Sequence, residues 1–242
     1  MKLQDLRSSY QDFVKGLQKR NPAKSMEIAV GGEFEAIGIL ERELLIQQGL
    51  EPDGYLIDVG CGSGRLAKPL KEFLSGRYLG TDVVPELIEH ARALVQRPDW
   101  RFEVIDAITI PEKDGAADMV CFFSVFTHLL HEDSYRYLAE ARRVLKPGGR
   151  IVFSFLEFKV PTHWSVFANN VSRAGAERPL DMFLSRDAIT AWAEHLQLRV
   201  EAIYDGHLPH ITLRTPVPME DGTVQSGMGR LGQSVGVLVK TR

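Results

Sequence analysis

The first fifty residues carry apolar side chains at the spacing of α-helices. Apolar residues recur every three or four positions in residues 1–20, which predicts an amphipathic helix, and a second such run predicts a helix over about 33–48. The glycine pair Gly31-Gly32 separates the two. No strand is predicted before residue 55. We therefore interpret 1–50 as a helical cap or lid and 51–242 as the core of one domain spanning 1–242.

From residue 55 the pattern changes to short apolar runs separated by helical segments. Seven runs are predicted as strands, at 55–59, 77–82, 101–106, 117–124, 150–158, 199–206 and 234–241. Helices are predicted at 64–75, from Pro85 to about 96, at 132–145 and at 186–196. Such alternation predicts an α/β fold with a doubly wound, mostly parallel sheet. The last two strands have no helix between them, only the Gly-, Pro- and Thr-rich loop 207–233, so we expect them to pair as an antiparallel hairpin.

A glycine-rich turn follows the first predicted strand, in the sequence YLIDVGCGSG. Glycines at 60, 62 and 64 allow a tight turn and a close approach of a ligand to the backbone, although a turn without a ligand would also use them. Three aspartates, spaced by 24 residues each, lie at or near the ends of successive strands: Asp58, Asp82 and Asp106. In doubly wound sheets this edge binds ligands. The pattern therefore predicts a nucleotide-type ligand above the turn.

The glycine spacing separates two classes of nucleotide ligand. The dinucleotide fingerprint GxGxxG would place its third glycine at Arg65, whereas this chain reads GxGxG. That pattern, with an acid two residues before the first glycine, resembles motif I of the class I S-adenosylmethionine-dependent methyltransferases. The resemblance extends over about 55–158 and includes TDVVPELIEHAR, IDAITIP and RVLKPGGRIVFSF. It implies a Rossmann-like, seven-stranded sheet with S-adenosylmethionine as cofactor and S-adenosylhomocysteine as product.

The resemblance also implies how the methionine end of the cofactor is held. Asp58 would organise its ammonium group, and Arg65 is a candidate for its carboxylate or else a surface arginine. The turn itself would wrap the methionine portion, through Gly60, Cys61, Gly62 and Gly64.

The same resemblance assigns residues to the nucleoside end. Asp82 would accept hydrogen bonds from both ribose hydroxyls, and Val83 would lie against the adenine. Asp106 would accept from the adenine amine, with the backbone N–H of Ala107 as a neighbouring donor. Ser124, at the end of the fourth strand, would line the sulfonium region.

The segment at the end of the fourth strand, CFFSVFTHLL, narrows the range of acceptors. It lacks the Asn/Asp-Pro-Pro-Tyr/Phe pattern of enzymes that methylate planar amines, and Cys121 lacks the Pro-Cys context of a cytosine-methylating nucleophile. These absences favour transfer to an oxygen or nitrogen of a small-molecule or glycan-like acceptor. His128 and His163 are the candidate general bases. The alternative for His128 is that it caps the following helix or makes a hydrogen bond within a loop. Tyr10 and Phe13, on the first predicted helix, are candidates to cover the cofactor.

Composition excludes several other classes. The 242 residues include 44% hydrophobic and 25% charged residues, with a net charge of −3. No long basic run indicates nucleic-acid binding, no apolar stretch reaches the roughly 20 residues of a membrane span, and no residue spacing indicates a metal site. The two cysteines and the polar N-terminus predict a cytoplasmic protein. The sequence leaves a homodimer open.

Two other functions remain open from sequence alone. A dinucleotide-dependent oxidoreductase would use the same edge of the sheet, although the displaced third glycine argues against it. A catalytically silent cofactor-binding module acting through a partner would keep the same aspartates.

Overall fold

A seven-stranded sheet forms the centre of the molecule. The computed structural model of the chain describes residues 3–31, 33–173 and 180–242; Gly32 of the glycine pair lies outside them. The strands are β1 (Tyr55–Val59), β2 (Arg77–Asp82), β3 (Arg101–Val104), β4 (Ala117–Phe122), β5 (Leu145–Phe155), β6 (Leu198–Tyr204), β7 (Ile211–Thr212), β8 (Val217–Pro218), β9 (Val224–Gln225), β10 (Met228–Gly229) and β11 (Ser234–Lys240).

Helices cover both faces of this sheet and form the N-terminal part of the chain. They are α1 (Leu3–Arg20), α2 (Ser25–Ala29), α3 (Phe34–Gln47), α4 (Ala67–Leu70), α5 (Pro85–Val95), α6 (His131–Val144), α7 (Pro161–Ser172) and α8 (Arg186–His195), with one turn of 3₁₀ helix at Phe126–His128. Within the described residues, no helix is long and apolar enough to cross a membrane.

The strand order confirms the doubly wound topology predicted from the sequence. The large sheet runs β3-β2-β1-β4-β5-β11-β6, with parallel pairing from β3 to β5. The strand β11 lies between β5 and β6 and is antiparallel to both, as expected for the final hairpin. The chain leaves β1 in one direction towards β3 and later returns on the other side through β4. The switch point between β1 and β4 is where such sheets bind ligands.

Several elements differ from the sequence prediction. The predicted helix at 64–75 is reduced to the single turn α4, because Pro69 cannot donate the backbone hydrogen bond of a helix interior. Helices α2 and α7 were not predicted. The segment 207–233, expected as an irregular loop, forms two small antiparallel sheets, β7 with β10 and β8 with β9.

The helix α3 belongs to the main core, while α1 and α2 rest on a smaller one. Leu40 and Leu44 of α3 are fully buried in the same apolar cluster as side chains of the central strands. Val14 of α1 instead packs against Val84 and Leu87, next to the end of β2. The cap formed by α1 and α2 therefore sits over the carboxyl end of β2.

The helix α3 packs so closely onto the segment after the glycine-rich turn that a side chain at Gly38 should destabilise the protein. A Cβ atom at Gly38 would lie 2.4 Å from the carbonyl oxygen of Arg65, whereas at Gly16 of α1 the nearest atom would be 3.6 Å away. We expect Gly38→Ala to lower the free energy of unfolding by about 1–3 kcal/mol through overpacking. Gly16→Ala should raise it by about 0.5–1 kcal/mol, because alanine loses less backbone entropy in a helix. Urea unfolding of both variants tests the contrast, and equal effects would contradict it.

Candidate active site

A cavity of about 480 Å³ opens at the carboxyl ends of the central strands. Its floor is the glycine-rich turn after β1 and the end of β2, and its roof includes Tyr10 and Phe13 of α1 and residues 28–31. The volume lies in the range of small-molecule sites. The cap and the sheet therefore enclose one site of the size of a nucleotide-like ligand.

The glycines of the turn are required by the protein's own packing as well as by its backbone. Gly60 and Gly62 line the cavity and have positive φ angles of 74° and 55°. A Cβ atom at Gly60 would lie 2.5 Å from Val125, and one at Gly62 would lie 2.5 Å from Val30. Gly64 is not among the lining residues; its added Cβ would meet Ala91 of α5 at 3.2 Å. The three glycines thus allow Val125, Val30 and Ala91 to pack closely against the backbone of the turn.

The carboxylate of Asp82 fastens the end of β2 to this turn. The N–H of Gly62 donates to its Oδ2 at 3.0 Å, and the N–H of Val84 donates to its Oδ1 at 2.9 Å. Burial raises the pKa of Asp82 to about 6, although these backbone donors oppose the shift. Asp82 lines the cavity, and each oxygen keeps a further lone pair for a ligand hydroxyl.

Asp58 lies beneath the turn on β1 and also lines the cavity. The Tyr78 hydroxyl donates to its Oδ2 at 2.7 Å, and the Cys121 thiol lies 3.5 Å from its Oδ1. Burial raises the pKa of Asp58 to about 7, with the nearby Glu41 adding to the shift. Both cysteines are buried; Cys61 lines the cavity, and burial raises the pKa of its thiol.

Arg65 lines the cavity but is held by an ion pair that the sequence did not reveal. Its Nη2 donates to Glu41 Oε1 at 2.6 Å, and its Nη1 donates to the carbonyl of Val30 at 2.5 Å. Glu41 is buried, which raises the pKa of its carboxyl group against the opposing effect of Arg65. Arg65 therefore links α3, the turn and the cap.

The end of β4 has a strained backbone. Ser124 lines the cavity with φ of +59°, which costs a residue other than glycine about 1–3 kcal/mol. Its N–H donates to Ser154 Oγ at 2.7 Å, and its Oγ accepts from Gln233 Nε2 at 3.2 Å. Ser154 in turn donates to Gln233 Oε1 at 2.7 Å. The three residues form a closed ring of hydrogen bonds, one of them through the backbone N–H of Ser124, at the tips of β4, β5 and β11.

His128 lines the cavity beside the cap. Its Nδ1 lies 2.8 Å from the carbonyl oxygen of Leu180, and its ring centroid lies 5.5 Å from that of Tyr10. Because a carbonyl can only accept, Nδ1 carries the hydrogen and Nε2 keeps its lone pair. Burial lowers the pKa of His128, so the ring is neutral near pH 7.

His163, the other candidate general base, lies away from the cavity. His163 is buried at the start of α7, and it is not among the residues lining the cavity. Its Nδ1 accepts from the N–H of Glu157 at 3.1 Å, and its Nε2 donates to the carbonyl of Gly232 at 2.8 Å. Both ring nitrogens are thus occupied by backbone groups.

Two residues assigned to the adenine lie away from the cavity wall. Asp106 and Ala107 follow β3 in an exposed loop, and neither is among the lining residues. The wall is formed there by the apolar side chains Val83, Leu87 and Ile105. Of the three regularly spaced aspartates, Asp58 and Asp82 come together in the site and Asp106 does not.

Sequence reasoning missed several lining residues, and two of them left a usable signal. Glu41 is an acid on the inward face of α3, four residues from both Ile37 and Leu45. Gln233 directly precedes an antiparallel strand, and such a strand begins where its parallel neighbour ends. Tyr137, Leu180 and Asp181 left no comparable signal. In the described part of the chain, no group of three His, Cys, Asp or Glu side chains could hold a metal ion.

The sequence of this chain matches one protein family and several curated proteins. Residues 57–153 match the sequence profile of a family described as "Methyltransferase domain". A malonyl-[acyl-carrier protein] O-methyltransferase of Hahella chejuensis is 30% identical over 156 residues, which cover 62% of this chain and 54% of that protein. A demethylmenaquinone methyltransferase of Thermus thermophilus is 38% identical over 109 residues, covering 44% and 48%. The chain thus spans about half the length of these relatives.

A solved structure shares the fold along nearly the whole chain. Magnesium protoporphyrin IX methyltransferase from Synechocystis, crystallised with bound S-adenosylhomocysteine, superposes with a TM-score of 0.65 at 15% identity, covering 98% of this chain and 99% of that one. The profile match spans the strands that carry the glycine turn, Asp58 and Asp82. Residues 57–153 therefore match a methyltransferase-domain family, and the whole chain shares the fold of a methyltransferase solved with S-adenosylhomocysteine.

Proposed function

We propose that this protein transfers a methyl group from S-adenosylmethionine to an oxygen or nitrogen atom of a small-molecule or glycan-like acceptor. The observation that carries the proposal is Asp82, a buried carboxylate at the end of β2 that faces a cavity of about 480 Å³ together with the glycine turn. The relatives' names give acceptors as different as a carrier-protein malonyl group and demethylmenaquinone, so they support methyl transfer without identifying an acceptor here.

The lining residues fit each part of this cofactor. Asp82 has lone pairs for the two ribose hydroxyls, which are donors. Val83, Leu87 and Ile105 form an apolar wall suited to the adenine ring. Asp58, beneath the turn, would attract the ammonium group. Arg65 already donates hydrogen bonds to Glu41 and to the carbonyl of Val30. In this proposal its main role is therefore to hold the cap, and its contact with the cofactor carboxylate is secondary.

The chemistry that the cofactor supplies when bound is an electrophilic methyl group on a sulfonium. The protein's own part is to align the acceptor with that methyl group and to exclude water. Tyr10, Phe13 and Val30 provide apolar cover from the cap side. The charged side chains of the lining are Asp58, Asp82 and Asp181, together with a Glu41–Arg65 pair whose charges neutralise each other. This balance favours a cationic cofactor over a dinucleotide with its pyrophosphate.

His128 is the residue we propose as general base. Leu180 fixes the ring in the tautomer whose Nε2 accepts a proton, and the lowered pKa keeps that nitrogen unprotonated near neutral pH. A hydroxyl acceptor would pass its proton to Nε2 as an oxygen lone pair engages the methyl group, whereas an ammonium acceptor would give up its proton first and so free the nitrogen lone pair.

The test of the proposal is calorimetric titration with S-adenosylhomocysteine, comparing Asp82→Asn with Asp106→Asn. We expect micromolar binding at one site per chain. Asp82→Asn should weaken it by about tenfold or more, because charge-assisted hydrogen bonds are lost. Asp106→Asn should change it less than about twofold, since Asp106 is exposed outside the cavity wall. Tight NAD binding in place of S-adenosylhomocysteine would instead support the oxidoreductase.

The raised pKa values of the two buried aspartates predict a pH dependence of binding. Both side chains must be ionised to hold the ligand, and their pKa values are about 7 for Asp58 and about 6 for Asp82. The affinity for S-adenosylhomocysteine should therefore rise as pH increases through these two values, and level off above the higher of them. In Asp58→Asn the rise should end nearer the pKa of Asp82. Titrations across this range test both statements, and an affinity independent of pH would contradict them.

A base at His128 predicts a selective loss of turnover. With an acceptor found by screening for S-adenosylhomocysteine release, His128→Gln should lower kcat by about a hundredfold or more while leaving cofactor affinity nearly unchanged. The matched control is His131→Gln, because His131 also bonds a backbone carbonyl, that of Phe183, but does not line the cavity. Equal losses in the two variants would indicate a structural role for both.

A further inference from the structure

The ring formed by Ser124, Ser154 and Gln233 fixes which atoms face outwards from it. Ser154 is buried and accepts from the N–H of Ser124, so its own hydroxyl hydrogen is donated to Gln233 Oε1. This sets the orientation of the Gln233 amide, with Nε2 towards Ser124 Oγ. Each contact in the ring therefore has a defined donor and acceptor.

Two donor hydrogens remain after this assignment. Ser124 Oγ accepts within the ring, so its hydroxyl hydrogen is not used there. Gln233 Nε2 carries two hydrogens, and the ring uses one of them. Both residues line the cavity that also contains His128. The hydrogen bonds of the ring hold this donor pair in place just after β4 and sustain the strained backbone of Ser124.

From this donor pair we infer that the methylated atom is an oxygen, an inference that rests on the proposed function. A deprotonated hydroxyl oxygen has three lone pairs, so it can accept from Ser124 and Gln233 and still attack with the third. A neutral amine nitrogen has one lone pair, and a donor bonded to it would block the attack. The donor pair thus selects alcohols, phenols or enols over amines.

The step balances with the groups at hand. The acceptor hydroxyl gives its proton to Nε2 of His128, and an oxygen lone pair forms the new bond to the methyl carbon. The carbon–sulfur bond breaks, and its electron pair stays on sulfur as the thioether of S-adenosylhomocysteine. Ser124 and Gln233 stabilise the negative charge on oxygen before the bond forms.

The experiment uses hydroxyl and amine acceptors that share one carbon skeleton. The purified protein is incubated with S-adenosylmethionine and matched pairs such as phenol and aniline or benzyl alcohol and benzylamine, and methylated products are identified by mass spectrometry. In parallel, the S-adenosylhomocysteine complex is titrated with 4-nitrophenol and 4-nitroaniline. We expect the hydroxyl member to be preferred at least about tenfold in both measurements, with 4-nitrophenol bound as the coloured phenolate.

Variants assign the preference to the donor pair. Gln233→Leu and Ser124→Ala should each lower the hydroxyl-to-amine ratio about tenfold while S-adenosylhomocysteine affinity stays within about twofold. Ser226→Ala, an exposed serine in the same segment, should leave both unchanged.

The outcomes separate this inference from the proposed function. If S-adenosylhomocysteine does not bind the wild-type protein, the proposed function fails first. If it binds but the amine members are bound or methylated as well as the hydroxyl members, the oxygen assignment is overturned and methyl transfer stands. Loss of cofactor affinity in both variants, or no detectable binding of either nitro compound, would also overturn the assignment.

Discussion

The contact on which the site depends is the carboxylate of Asp82 held between two backbone amides. Gly62 donates from the turn after β1, and Val84 donates from the first residues after β2. Hydrogen-bond donors that converge on a buried carboxylate stabilise its charge, and the left-handed backbone of the glycine turn brings the amide of Gly62 into place. The turn and the acid therefore form one unit. The backbone amides stabilise the charge of Asp82, and Asp82 in turn stabilises the geometry of the turn.

The cap is joined to that unit by side chains of the turn. Ser63 Oγ donates to the carbonyl of Met26 at 2.8 Å, and Arg65 donates to the carbonyl of Val30. Glu41, from the core helix α3, holds Arg65 in position. The side chain of Val30 packs against Gly62. The cap, the turn and the core thus meet at residues 62–65. A movement of residues 26–30 would therefore displace the turn that forms the floor of the cavity.

How much of this could be predicted from sequence depended on the range of the interactions. The strands were predictable because a buried strand is a short, mostly apolar run, as in β1, and the glycine turn and Asp82 were predictable from local spacing. The exposed position of Asp106 outside the cavity wall was not predictable, because spacing gives a position along the chain but not the burial of a loop. The roles of His163 and Gln233 depend on which distant backbone and side-chain groups reach them, Gly232 for the one and the tip of β5 for the other. Such contacts leave no periodic signal.

The charges of the cavity floor bear on the ligand independently of its shape. Asp58 contacts a phenol and a thiol, and the Arg65 charge lowers its pKa less than burial raises it. Glu41 and Arg65 neutralise each other. Two buried acids thus hold part of their protons near neutral pH, because no cationic side chain contacts either of them among the described residues. A positively charged ligand would lower the pKa of both carboxyl groups and restore their ionisation. Binding of such a ligand is then stabilised by Coulombic attraction that the protein's own side chains do not supply. The electrostatics of the floor therefore favour a cationic ligand before any contact to its nucleoside is counted.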